Sequence, residues 1–165
     1  MDDALRLNEA ARKENILIVL KPHFSQDISR VKKLNLTNIC FINDTFFNKH
    51  QISSYSFVGG CDALVTDYSS IYFDFLLCNK PIASIWEDVN EYRVNRGFAF
   101  DIDYYMKGAY KIFTIDDFIN FIYEISSNVD SLKSEREEIM KIAHHYLDDK
   151  STERVVDFIE NNCLN

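Results

Sequence analysis

An α/β fold on a doubly wound parallel sheet is predicted by three features of the sequence. Short runs of β-branched and other apolar residues recur along the chain, each apolar throughout rather than alternating. Segments with helical spacing separate them. Proline or polar pairs close several of the runs, as at Lys21-Pro22 and Asn43-Asp44. Strands buried on both faces need helices on both faces, and right-handed crossovers then make the sheet doubly wound. With 165 residues, the chain is sized for a single domain over 1–165.

Asp3 to Lys13 favours helix, with Leu5, Leu7, Ala10 and Ala11 among charged residues. Ile16 to Leu20 reads as the first strand and ends before Pro22, which has no N–H for a ladder. Ser25 can cap a helix to about Lys33, with Ile28 and Val31 three apart. Asn38 to Ile42 is the second strand and Gln51 to Gly60 a helix. Ala63 to Thr66 is the third strand, leading through Asp67 to Ser70 into a mostly buried helix, Ile71 to Cys78. Pro81 to Trp86 is the fourth strand, with its proline at the tolerated first position. Gly97 to Ile102 reads as a fifth strand and Tyr110 to Phe113 as a short sixth. Thr114-Ile115-Asp116-Asp117 has the form of a capping box, and Ile115, Phe118, Ile119, Ile122 and Ile125 follow at helical spacing. A charged helix from about Asp130 to Leu147 and a last one from Ser151 to Asn162 close the chain.

Composition removes several classes of function. The chain carries 18 basic and 26 acidic residues, a net charge of −8, so its mean field repels nucleic acid and anionic headgroups. No stretch holds the lysine and arginine cluster of a lipid-binding patch. The longest apolar run, Ile16 to Leu20, is far too short to span a bilayer. The acidic start, Met1-Asp2-Asp3-Ala4, is not that of a signal peptide. Cys40, Cys61, Cys78 and Cys163 form no C-x-x-C pair, which argues against zinc, and three of the four lie within apolar segments, which fits small core residues in a reducing cytoplasm. No carboxylate cluster demands a metal.

In doubly wound sheets, ligands sit beyond the carboxyl ends of the strands. That rule selects Lys21-Pro22-His23, Asn43-Asp44-Thr45, Thr66 to Ser70 and the segment from Glu87 onward. The sharpest is Thr66-Asp67-Tyr68-Ser69-Ser70, where unpaired amides at a helix start and two small hydroxyls suit a phosphate. An ordinary helix cap is the alternative. His23 is a candidate acid, base or phosphate ligand, or else a surface histidine, and Lys21 beside it offers a cation. Arg93 and Arg96 precede Gly97; their forks suit phosphate, or they pair with Glu87, Asp88 or Glu91. Gly97 permits a close approach or a positive φ. Asp74 shares a helical face with Ser70 and needs a partner: backbone amides, a ligand hydroxyl or an arginine.

The segment Leu64-Val65-Thr66-Asp67-Tyr68-Ser69-Ser70-Ile71-Tyr72-Phe73-Asp74, continuing to Lys80-Pro81-Ile82, closely resembles the hallmark of the CDP-glycerol glycerophosphotransferase family, the teichoic acid polymerases and primases. Lys21-Pro22-His23 looks like its K-x-H-P element, with Phe24 replacing the second proline. Tyr92, Arg96-Gly97-Phe98 and Asp101 resemble its Y…RGF…D stretch. Asp148 to Arg154 is similar to its terminal D-G-x-A/S-x-x-R element, with Asp149 in place of glycine.

The resemblance implies a GT-B architecture, of which this chain resembles the Rossmann-like C-terminal, donor-binding half. It implies transfer of glycerol phosphate, or a related polyol phosphate, from CDP-glycerol or another CDP-polyol to a teichoic acid or capsule polymer. No cofactor is implied beyond that substrate. His23 takes the catalytic role at the donor phosphates. Thr66, Asp67, Ser69, Ser70 and Arg96 would hold the diphosphate, with Lys21 and Asp74 as possible donor contacts. The N-terminal GT-B half, with the family's proposed general base, has no counterpart here and is the expected partner. The expected location is cytoplasmic, peripheral at the inner face of the cell membrane. A nucleotide-sugar GT-B glycosyltransferase of capsule synthesis and a non-catalytic nucleotide-binding module are the alternatives.

Overall fold

The computed structural model describes residues 2–22 and 28–163. Its elements, in chain order, begin with α1 (Asp3–Lys13), β1 (Ile18–Leu20), α2 (Ser29–Lys32) and β2 (Ile39–Phe41). Next come α3 (Asp44–His50), α4 (Ser54–Gly59), β3 (Leu64–Thr66), α5 (Ile71–Leu76) and β4 (Ile82–Ile85). The chain then forms α6 (Val89–Asn95), α7 (Ile102–Tyr105), β5 (Tyr110–Ile112), α8 (Ile115–Ser126), α9 (Lys133–Ala143) and α10 (Ser151–Cys163).

Every strand pairing is parallel, as the unbroken apolar runs predict. The expected single sheet is instead two among the described residues. β1 pairs with β2, and β4 lies between β3 and β5. Helices cover both faces of the larger sheet, and the register shows why. Leu64 and Ile82 face one side, packing with Tyr72, Phe75 and Leu76 of α5 and with Ile139 of α9. Their neighbours Val65 and Ala83 face the other side, against Phe121 and Phe118 of α8. Ile122 of α8 packs with Leu7, Ala10 and Ala11 of α1 and with Ile39 of β2. Thus α8 lies over both sheets and ties them together.

Four expectations change. The strand expected at Gly97 to Ile102 is a turn and loop leading into α7. Gly97 has φ +72, outside the strand region, and the Asp101 carboxylate accepts the Tyr104 N–H at 3.2 Å to start the helix. The segment beginning at Asp44 is helical, because the Asn43 side chain accepts the Phe46 N–H at 3.1 Å and Phe47 buries its ring. The helix expected over Gln51 to Gly60 starts only at Ser54; Gln51 is left-handed and ends α3, and Ser53 caps α4. The charged helix stops at Ala143, where His144 turns extended and its Nε2 meets the Phe73 carbonyl at 2.8 Å.

Gly108, in the turn before β5, lies against the backbone of α9. A Cβ there would sit 2.7 Å from the Arg136 Cα. Neither backbone can yield without moving α9, whose Arg136 and Ile139 are buried. Gly108→Ala should therefore cost about 1–3 kcal/mol, read as a lowered urea midpoint. An unchanged midpoint would show that α9 is free to shift.

Candidate functional site

The corner after β3 is built by its own side chains and by β4. Thr66, the last residue of β3, is in register with the fully buried Ser84 of β4. The Ser84 hydroxyl donates to the Asp67 carbonyl at 3.3 Å. The Asp67 carboxylate accepts the Ser69 N–H at 2.9 Å, closing a local turn. The shape of the loop is thus set by Asp67 and Ser84. The exposed hydroxyls of Ser69 and Ser70 have no hydrogen-bond partner among the described residues. Ser70 occupies the cap position of α5 without making a side-chain cap bond, so the ordinary-cap alternative does not hold for it. α5 is only six residues long, so the dipole available to an anion is smaller than the sequence suggests.

Tyr68, in the middle of the corner, joins it to the segment after β4. Its ring centroid is 4.9 Å from that of Tyr92, 5.1 Å from Phe98 and 6.1 Å from Trp86. Tyr92 and Phe98 stack at 4.8 Å and 19°. The Tyr68 hydroxyl donates to Asp88 at 3.0 Å. Burial, then the bond to the Asp88 anion, pushes this phenol far above its ordinary value, so it stays protonated. The two stretches that the sequence singled out separately are therefore in contact. Sequence reasoning passed over Tyr68; its only signal was an aromatic residue in both stretches.

Arg96 ends α6 and is exposed, with its guanidinium carbon 5.8 Å from the centre of the Tyr92 ring. It makes no ion pair among the described residues, with Glu87, Asp88, Glu91 or any other acid. Arg93 pairs instead with Asp103, which also binds Lys111 at 2.8 Å. Gly97 adopts the positive φ anticipated, and its N–H and that of Arg96 both reach the Tyr92 carbonyl at 2.9 Å. Asp74 is half-buried in α5, and neither a backbone amide nor an arginine meets its carboxylate among the described residues.

Other expected residues are placed differently. Lys21 is engaged, its Nζ 3.1 Å from Asp44 across the ends of β1 and β2. Asn43 and Asp44 are thus occupied in a helix cap and an ion pair rather than forming an open loop. His23 lies outside the described residues. Asp148 pairs with Arg154, which stacks 3.7 Å over Tyr146, so this terminal element closes on itself. The four cysteines are free, Cys163 on the exposed α10. No group of three potential metal ligands occurs among the described residues.

Comparison with known proteins matches the family model of CDP-glycerol:poly(glycerophosphate) glycerophosphotransferase to residues 2–161. The chain belongs to this family. It is similar to the teichoic acid poly(ribitol-phosphate) polymerase of Bacillus spizizenii, 37% identical over 101 residues, covering 59% of this chain and 15% of that protein. The teichoic acid ribitol-phosphate primase of the same organism is 28% identical over 107 residues, 65% of this chain and 26% of the primase. The teichoic acid poly(glycerol phosphate) polymerase of Bacillus subtilis is 39% identical over 67 residues, 40% of this chain and 9% of the polymerase. The matches span a quarter or less of the length of most of these relatives. No helix among the described residues of this family member is long and apolar enough to cross a membrane.

Proposed function

We propose that this chain supplies the donor site of a teichoic acid glycerophosphotransferase. It binds CDP-glycerol or a related CDP-polyol, and the polyol phosphate passes to a growing teichoic acid or capsule polymer. The observation that carries this reading is the convergence of the Ser69–Ser70 corner and the Arg96 turn on Tyr68, within a family match covering almost the whole chain. Two hydroxyls and a guanidinium with no hydrogen-bond or ion-pair partner among the described residues offer neutral and charged donors to a diphosphate. Asp74, one turn beyond Ser70, is suited to a polyol or ribose hydroxyl. His23 takes the family's role at the donor phosphates.

Transfer then proceeds by attack of an acceptor hydroxyl oxygen on the β-phosphorus. The bond from that phosphorus to the bridging oxygen breaks, and CMP leaves with the electron pair. The acceptor proton goes to a base in the N-terminal half of a GT-B enzyme, of which this chain forms the Rossmann-like C-terminal half. Positioning and charge neutralisation, rather than covalent catalysis, are the demands on this domain. The complete enzyme works at the inner face of the cell membrane.

Calorimetric titration of the chain tests the donor. CDP-glycerol or CDP-ribitol should give saturable binding and UDP-glucose none. Binding of UDP-glucose alone would favour a nucleotide-sugar transferase, and binding of none of the three would remove the donor site.

A further inference from the structure

We propose that Tyr68 is a positioning residue that fixes the Arg96 guanidinium relative to the Ser69 and Ser70 hydroxyls. This rests on the donor-site reading above. Tyr68 sits in the same corner as the two serines, yet its hydroxyl bond and its ring contacts with Trp86, Tyr92 and Phe98 point to the segment after β4. Its hydroxyl holds Asp88, the residue that precedes α6. Its ring packs on Tyr92 within α6 and on Phe98 just beyond it. One side chain therefore grips both ends of a helix seven residues long.

Such a helix has little stability of its own, so tertiary contacts set its orientation. Arg96 ends it, with no acid among the described residues to anchor its guanidinium and the Tyr92 ring as its ring contact. The Tyr92 carbonyl accepts the N–H groups of both Arg96 and Gly97. Whatever holds Tyr92 thus holds the base of the arginine. The bond to Asp88 adds a fixed distance where ring packing alone would allow sliding. It persists across the neutral and alkaline range because the phenol stays protonated.

The alternative is that Tyr68 only fills space in an aromatic cluster. Tyr68→Phe separates the two, because it keeps the ring and removes the bond. The first measurement needs no ligand. In Tyr68→Phe the Gly97 amide should exchange with deuterium about tenfold faster, while the Ile122 amide in α8 keeps its parental rate. Asp88→Ala should behave alike, and Asp88→Asn, which keeps an acceptor, should restore most of the protection. The second measurement is CDP-glycerol affinity by calorimetry in two backgrounds. Tyr68→Phe should raise Kd about tenfold in the parent chain and less than about twofold once Arg96 is alanine. Parental exchange at Gly97, or equal losses of affinity in both backgrounds, would overturn the proposal. If the parent chain binds no CDP-glycerol, the donor-site reading fails, and the exchange rates alone decide whether Tyr68 holds the turn.

Discussion

Ser69→Ala combined with Ser70→Ala should weaken CDP-glycerol binding about a hundredfold or more while leaving the fold intact. A neutral donor bonded to a charged group contributes about 1.5–3 kcal/mol, and each 1.4 kcal/mol is about tenfold in Kd. Two such bonds lost together account for the size of the effect. The fold should survive because neither hydroxyl has a hydrogen-bond partner among the described residues. The turn is closed by the Asp67 carboxylate on the Ser69 amide, which alanine retains. Ser70 makes no side-chain cap bond that α5 would lose. Calorimetry with CDP-glycerol gives the affinity, and circular dichroism gives the fold. A loss below about threefold with an unchanged spectrum would mean that the diphosphate does not rest on these hydroxyls.

Phe75→Ala should remove about 3–5 kcal/mol of folding stability. Phe75 is 1% exposed, and its ring packs in the main core with Tyr72, Leu76, Trp86, Met106 and Ile139. Truncation loses the transfer energy of the ring and leaves a cavity that the surrounding helices fill only in part. Typical domains have about 5–15 kcal/mol in total, so the variant would sit close to unfolding. Equilibrium urea denaturation gives the number directly. A cost under about 1 kcal/mol would mean that α5 is not seated as described. Because Phe75 itself faces the core and both Ser70 and Asp74 are retained, donor affinity should fall only in proportion to the unfolded fraction. This distinguishes Phe75 from the serines, whose loss spares stability and removes binding.

The strands were legible because each is a β-branched or apolar run with a polar or proline stop. Their cores match the expected segments, trimmed by a residue or two at the ends. Helix α1 and the capping box of α8, in which Thr114 and Asp117 bond each other's backbone amides, were written in local chemistry. The misreadings are tertiary in origin. Phe98 and Phe100 alternate with other residues as in a strand, but their rings pack on Tyr68, Tyr92 and Phe73. Helices α3 and α6 are seven residues each, too short for a periodic signal. The division into two sheets depends on non-local pairing that no local pattern encodes. At the site, the corner and the positive φ of Gly97 could be read from residue type. The pairing of Lys21 with Asp44 and of Arg93 with Asp103 could not, because it depends on how the segments that follow β1 and β2, and the helices α6 and α7, meet in space.

The central claim is that the Ser69–Ser70 corner and the Arg96 turn together hold the diphosphate of a CDP-linked donor. A crystal structure of the chain with CDP-glycerol tests it most directly. The account predicts both serine hydroxyls within about 3 Å of phosphate oxygens, with the Arg96 guanidinium on the same diphosphate. A nucleotide seated elsewhere on the chain, with those hydroxyls facing only water, would contradict it.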